Sequence, residues 1–450
     1  MASAASGLIC CFLTTLDILI PAIEISRISI LFLLFYVLLD LRNIQRSQWI
    51  ICGLLILTGT LFGVLAGEPL KVVTDGLRGV LMFLLLFGSV TLLQHPSLLS
   101  PSMGAMRLVI RGLRPTLHYL CLATASHFLA GITNFAGFTL LSGFAMESRN
   151  PRQRLRMALA LSRGFVAAST WSPFFMAIAV VVSVIPQLRW VDVALPGFGL
   201  AMLIIALGTI TDYLGNRGRL DPVPIEAKPP GLGGSIARVV ALMLVLVGAV
   251  AVTNSLLEVH ISACIAVVVT IFATVWWYLI VRARPRADFA AEARDYARNL
   301  LGAIGSLRGM AVLFIGANIM GQGVAKVTDG QMLVDFALSL GISGAGWVPF
   351  LLCLIAATSA MGLHAIILIV ILGHTLPLEV IGLSHATLGL ILMTSWGIGG
   401  VLSPFSTLTL YTSALLEKSN WTMAWRHNGL YAIGCVALAT AWILGFHYTQ

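Results

Sequence analysis

Charge is what this sequence has least of. Of its 450 residues only 10% are Asp, Glu, Lys or Arg, against 58% hydrophobic, and the mean hydropathy is +0.97. A soluble domain carries about 25% charged residues, so most of this chain must lie in lipid. Its apolar runs are continuous rather than alternating, which excludes a membrane β-barrel and leaves an all-α polytopic membrane protein. No GxxxxGK[ST] phosphate loop is present, so ATP hydrolysis by this chain is excluded. The seven cysteines (10, 11, 52, 121, 264, 353 and 435) form no CxxC and have no flanking His pair, so no disulfide framework, metal site or cofactor is expected. No basic stretch precedes the first apolar run, so a cleavable signal peptide is not expected. The net charge of +9 sits in short loops between apolar runs, which is the positive-inside pattern and not a nucleic-acid footprint.

What is present is a series of apolar segments: 8–22, 28–41, 49–66, 79–93, 116–148, 157–186, 193–212, 236–254, 258–282, 309–325, 346–378, 384–416 and 425–447. A span needs about 20 apolar residues. Segments 116–148 and 346–378 are too long for one span and too short for two. Each is interrupted in the middle, by Thr133-Asn134 and by Gly362-Leu363-His364, as a re-entrant hairpin would be. Segments 157–186 and 384–416 are broken by Ser-Pro-Phe, within "STWSPF" at 169–174 and "VLSPFS" at 401–406. Proline removes a backbone N–H and clashes with the preceding turn, so the helix stops there. The expectation is eleven spans plus two hairpins.

Loop charge orients the chain. All basic residues except Arg27, Lys71, Arg78, Arg189 and Lys326 fall inside or near the inner face, among them Arg107, Arg111, Arg114, Arg149, Arg152, Arg154 and Arg156 around the first hairpin. This places the chain in the bacterial inner membrane with a cytoplasmic N-terminus and an extracytoplasmic C-terminus. An amphipathic segment at 287–301 is expected along the interface.

Landmarks recur at one offset. Leu77-Arg78-Gly79 returns as Leu307-Arg308-Gly309, Ser172-Pro173-Phe174 as Ser403-Pro404-Phe405, and Asn134 corresponds to His364. The shifts are 230 or 231 residues, which indicates an inverted internal repeat. The expected organisation is a peripheral span (1–26), repeat 1 (27–212), a cytoplasmic linker (213–235) and repeat 2 (236–450). Inverted-repeat membrane proteins bind solute near the midplane, where broken helices expose N–H and C=O groups, and half-helix N-termini suit anions.

This order of elements resembles the ion transporter superfamily, which includes divalent-anion/sodium symporters, arsenite permeases and the large membrane subunits of tripartite transporters. The stretch "VLFIGANIMGQGVAKVTDG" (312–330) is similar to the helix before the second hairpin in that superfamily. The tips read Ile132-Thr133-Asn134-Phe135 and Gly362-Leu363-His364-Ala365 rather than the Ser-Asn-Thr of dicarboxylate symporters, so the likeness is to the architecture and not to one substrate subfamily. The resemblance implies substrate and ion contacts at Thr133 and Asn134, at Ser169, Thr170 and Ser172, at Gly362 and His364, and at Gly399, Gly400, Ser403, Pro404, Ser406 and Thr407. It also implies a homodimer.

Each of these residues has a plainer role to weigh. Asn134 either holds an ion or makes an interhelical hydrogen bond worth about 0.6 kcal/mol. His364 either carries a coupling proton or bonds a carbonyl as a neutral ring. The hydroxyls, Thr409 included, can bond their own helix backbone. Asp17 lies outside the repeat and reads as a pairing residue. Trp171 and Trp396 are candidate stacking surfaces, Trp421 an interface anchor, and Arg78 and Arg308 a symmetric pair of anchors. The expected function is a secondary active transporter, a symport or antiport permease. It moves a small anion coupled to Na⁺ or H⁺ by an elevator-type motion. The alternatives are a tripartite-system membrane subunit and, in another class, a membrane-embedded glycan polymerase or ligase. Short outer loops, poor in carboxylates, His and Arg, disfavour the latter.

Overall fold

The structure, a computed structural model, describes residues 2–20, 25–44, 46–103, 115–147, 150–216, 232–257, 261–285, 288–327 and 330–450. Arg107, Arg111, Arg114, Arg149 and most of the expected linker lie outside the described residues. The described residues form helices and no strands, as lipid demands of a backbone that must satisfy its own hydrogen bonds.

The chain opens with α1 (Ala2–Leu19) and α2 (Ser26–Leu38), an antiparallel pair. Ser3, Ser6 and Cys10 of α1 donate to the carbonyls of Tyr36, Phe32 and Ser29. Then come α3 (Arg46–Leu65), α4 (Pro69–Thr91) and the short α5 (Gln94–Leu99). Next, α6 (Pro115–Thr133) turns through one residue, Asn134, into α7 (Phe135–Glu147). Asn134 has φ 51°, a left-handed conformation that Asn tolerates better than most residues. Helix α8 (Pro151–Ala167) is capped by the Asn150 side chain, tightens into a 3₁₀ turn at Ala168–Thr170, stops, and resumes as α9 (Met176–Val184). Helix α10 (Trp190–Asn216) completes this half.

The second half repeats the order. After α11 (Leu232–Leu257), α12 (Ile261–Arg282), the amphipathic α13 (Phe289–Ser306), α14 (Arg308–Val327) and α15 (Gly330–Ser339) come α16 (Trp347–Ala360) and α17 (Ala365–Thr375). They are joined by a tight turn with Gly362 at φ 104°. After the one-turn α18 (Leu378–Ile381), α19 (His385–Leu402) stops at Ser403 and resumes as α20 (Thr407–Leu416). A π-helical turn, Thr422–His427, leads into α21 (Gly429–His447). Both over-long pairs of segments therefore divide where the sequence is interrupted.

Eight stretches among the described residues are long and apolar enough to cross a membrane, against the eleven spans expected. The other three are shorter pieces: α1, α2, and α8 with α9. At 13 residues α2 is about 20 Å long, short of the ~30 Å hydrocarbon core. The chain is nevertheless a multi-pass membrane protein, because those eight stretches cannot be accommodated in water.

Burial sorts the helices. In His385–Leu416 (α19 and α20) 83% of the residues in its apolar 18-residue window are buried inside the protein, against 17% in Gln48–Leu65 (α3), which faces lipid. Helix α14 packs against α3, α4 and α17. Close approach there depends on glycine: a Cβ on Gly59 would meet the Ile319 carbonyl, and one on Gly79 the Asn318 amide. Small residues are the usual means of bringing helices together in lipid.

Candidate functional site

The first helix break lies against the part of α19 that precedes the second break. Ser169 Oγ, in the first, donates to Met393 O of α19 at 3.1 Å and to Val166 O at 2.7 Å. On the facing helix, a Cβ at Gly397 would lie 2.5 Å from Ser169 Oγ and 2.6 Å from the Val166 carbonyl, so only glycine fits. Thr170 Oγ1 bonds Ala167 O and, across the interface, Gly197 O of α10 at 2.7 Å. Ser172 Oγ donates to Gly131 O at 2.5 Å and accepts from Phe174 N. The first break is thus tied to α6, α10 and α19 by its own hydroxyls.

Beside the crossing is a cavity of about 390 Å³. Its walls come from the Asn134 turn, both breaks, the start of α17 and the α13–α14 junction (Ser306, Leu307 and Met310). Four half-length helices begin there: Phe135 opens α7, Met176 opens α9, Ala365 opens α17 and Thr407 opens α20, and all four line the cavity. The first turns of a helix leave N–H groups unpaired and carry partial positive charge, so this convergence suits an anionic group. No Asp, Glu, Lys or Arg is among the lining residues. The remaining wall is aromatic and apolar: Phe135, Phe165, Phe175, Met176, Met310 and Trp396.

Of the residues singled out in the sequence, Asn134, His364, Trp396, Gly399, Gly400, Ser403, Ser406 and Thr407 line this cavity. Asn134 Nδ2 donates to Phe174 O at 2.5 Å, linking the first turn to the first break. His364 is the N-cap of α17: its Nδ1 accepts from Ile366 N at 3.3 Å, and the ring stands edge-on to Trp396. With Nδ1 accepting, the ring's proton is on Nε2, and a second proton would break the cap. Ser406 Oγ donates to Gly400 O at 2.6 Å and caps α20 by accepting from Thr409 N.

The others are placed elsewhere. Thr133, Ser169, Thr170 and Ser172 are buried and are not among the lining residues, their hydroxyls bonded to backbone carbonyls. Gly362 supplies the left-handed turn, and a Cβ there would strike the Phe405 ring. Pro404 terminates α19 without lining the cavity. Arg78 and Arg308, expected to be equivalent anchors, differ. Arg78 is half-exposed beside Asp75, whereas Arg308 pairs with Asp40 and donates to Ser3 Oγ, fastening α14 to the α1–α2 pair. Asp17 accepts from Ser26 N at the start of α2. Trp171 is buried and donates to His127 Nε2, while Trp421 is exposed against Phe405 and Trp425.

Sequence reasoning did not anticipate Phe135, Phe165, Phe175, Met176 or Met310 as a wall. An aromatic residue in an apolar helix gives no sign of which side it faces. It also missed a buried polar spine on α8. Arg156 Nε contacts both Asp212 carboxylate oxygens at 2.7 and 2.8 Å. One face along, Arg163 donates to Asn428, Tyr119 and the His427 carbonyl and lies 4.1 Å over the Tyr431 ring. The spacing of seven from Arg156 to Arg163, two turns on one face, was a readable signal.

No family model matches the chain, and no curated protein matches it. Solved structures do. The YdaH transporter of Alcanivorax borkumensis, described as having an unusual topology, aligns at a TM-score of 0.60 and 14% identity, over 89% of this chain and 98% of that one. MtrF of Neisseria gonorrhoeae, described within a class of antimetabolite efflux pumps, aligns at 0.51 and 14%, over 83% and 82%. The chain is similar to these two membrane transporters in fold over most of its length: an all-α polytopic membrane protein with two helix pairs and two broken helices.

Proposed function

We propose that this protein is a secondary active transporter, and that the cavity between the two breaks is its solute site. The observation that carries the reading is the convergence of four half-helix N-termini on one uncharged, aromatic-walled cavity. The solute is small and carries one anionic group, held by N–H groups and by Asn134, Ser403 and Ser406. A planar or apolar body packs against Phe165, Phe175 and Trp396. The helix pairs α6–α7 and α16–α17 are re-entrant hairpins of an inverted repeat, which places the cavity near the midplane. The hairpins and broken helices move together against α3, α4 and α14, coupled to Na⁺ or H⁺. The protein is a homodimer in the bacterial inner membrane, with its N-terminus cytoplasmic. Fold likeness to the two transporters supports transport in general, and the cavity's chemistry supports the anion.

Thermal stability of the purified protein tests this. Inorganic anions, aliphatic carboxylates and aromatic carboxylates are compared in Na⁺ and in choline, at acidic and neutral pH. A solute that binds only the folded state raises the melting temperature by mass action. The expected result is a rise with aromatic carboxylates that Asn134→Ala and Ser406→Ala abolish. A wild type that no anion stabilises, in either cation or at either pH, refutes the anion site.

A further inference from the structure

Outside this cavity, a pair of adjoining grooves of about 520 and 380 Å³ runs along one side of α11 and α12, sharing Leu242, Trp276 and Leu279. One end is polar: Arg238 from the start of α11, Arg284 just beyond α12, and Ser100 and Ser102 after α5. The rest, from Leu242 to Ala249 on α11 and from Val268 to Leu279 on α12, is apolar. No acidic residue lines either groove. Arg284 donates to Glu292 Oε1 at 3.0 Å and to Leu99 O. Arg238 bonds only Gly234 O and Ser235 Oγ of its own first turn, so among the described residues its charge has no carboxylate partner.

The dimensions select the ligand. Arg238 and Ala249 are about 16 Å apart along α11, and Val268 and Arg284 about 24 Å apart along α12, at ~1.5 Å per residue. One leaflet offers a hydrocarbon depth of roughly 15 Å plus roughly 5–7 Å of headgroup region. We infer that this groove binds one anionic phospholipid of the Arg-rich leaflet, its phosphate between Arg238 and Arg284 and an acyl chain along Leu242, Trp276 and Val268. Both arginines lie on the side that loop charge assigns to the cytoplasm, where basic clusters next to spans recruit anionic lipid. The site depends on the membrane-protein fold and not on the transport reading.

The test uses the full chain in detergent, with bound lipid measured by native mass spectrometry and stability by melting temperature. The probes are phosphatidylglycerol, phosphatidylcholine with the same acyl chains, and inorganic phosphate. Phosphatidylglycerol is expected to be retained over phosphatidylcholine and to raise the melting temperature. Arg238→Gln is expected to cut that preference about fivefold, the factor one basic residue near an anionic headgroup contributes. Leu242→Trp, which fills the groove, is expected to lower retention of both lipids. Equal retention of the two lipids by the wild type, or an undiminished preference in Arg238→Gln, overturns the inference. Protection by inorganic phosphate alone overturns it in favour of a small-anion site. A change of oligomeric state in Leu242→Trp with lipid retention intact overturns it in favour of a second copy covering this face.

Discussion

Replacing Gly397 with alanine probes the crossing of the first break with α19. The added methyl carbon would stand 2.5 Å from Ser169 Oγ and 2.6 Å from the Val166 carbonyl oxygen. Neither can give way cheaply. One is backbone, and the other is a short side chain held by bonds to Val166 O and Met393 O. Overpacking of this kind costs about 1–3 kcal/mol, roughly a 5- to 150-fold fall in the folding equilibrium constant. Gly400, three residues on, is the contrast: a Cβ there meets only Val166 Cγ1 at 3.5 Å, an ordinary contact. Gly248 on α11 meets nothing within 4 Å. Alanine at these two helical positions should therefore be neutral or stabilise by about 0.4–1 kcal/mol, since it restricts the unfolded chain. Equilibrium unfolding of the three variants in mixed detergent–SDS micelles measures the differences. Gly400→Ala should keep its stability while weakening solute binding, because it adds a methyl to the cavity wall. A Gly397→Ala variant as stable as Gly248→Ala refutes the crossing, and with it the cavity's geometry.

Three further outcomes are expected. Arg156→Leu alone should cost about 3–5 kcal/mol by taking the guanidinium from the buried Asp212 carboxylate, and the Arg156→Leu/Asp212→Leu double variant less than the sum of the two single costs; strictly additive costs in a double-mutant cycle would show the pair is not coupled. Asn134→Gly preserves the left-handed turn, whereas Asn134→Ala strains it by about 1–2 kcal/mol; both should weaken solute binding alike, and retained binding in the glycine variant would remove the amide from the site. Lys326, 2.7 Å from Glu68, holds that exposed carboxylate below its ordinary value. The pair's contribution is therefore present above the unfolded carboxylate value and is lost as pH falls through the lower folded value. The protection factors of the Gly67 and Glu68 amides, with the intrinsic pH dependence of exchange divided out, should fall on acidification, more so in low salt, and Glu68→Gln should flatten that dependence.

How much the sequence disclosed differs between backbone and side chains. The breaks were legible because proline and paired hydroxyls are costly in a lipid-embedded helix, so 173 and 404 announced themselves. The turns at Asn134 and Gly362 were legible for the same reason. Side-chain direction was not. Ser169, Thr170 and Ser172 looked like a solute cluster, and the structure turns each hydroxyl onto a carbonyl of a neighbouring helix. Ser403, Ser406 and Thr407, chemically the same, line the cavity. Spacing could not separate these sets, because the difference lies in which helices pack behind each break. The repeat of Leu-Arg-Gly set Arg78 and Arg308 in equivalent places, and the structure gives them different partners: Asp40 and Ser3 for Arg308, Asp75 for Arg78. The apolar runs at α1 and α2 form shorter apolar helices beside the eight long ones, because hydropathy places an apolar segment without fixing the length of its helix.

An uncharged cavity wall has an electrical consequence. Carrying one elementary charge through a membrane potential involves about 2.3 kcal/mol per 100 mV. On the proposed cycle the empty site, with no Asp, Glu, Lys or Arg in its wall and His364 a neutral helix cap, returns across the field without doing electrical work. The current per turnover then equals the summed charge of solute and coupling ions. The ratio of charge moved to solute moved would count those ions directly, and the empty return step would be insensitive to voltage.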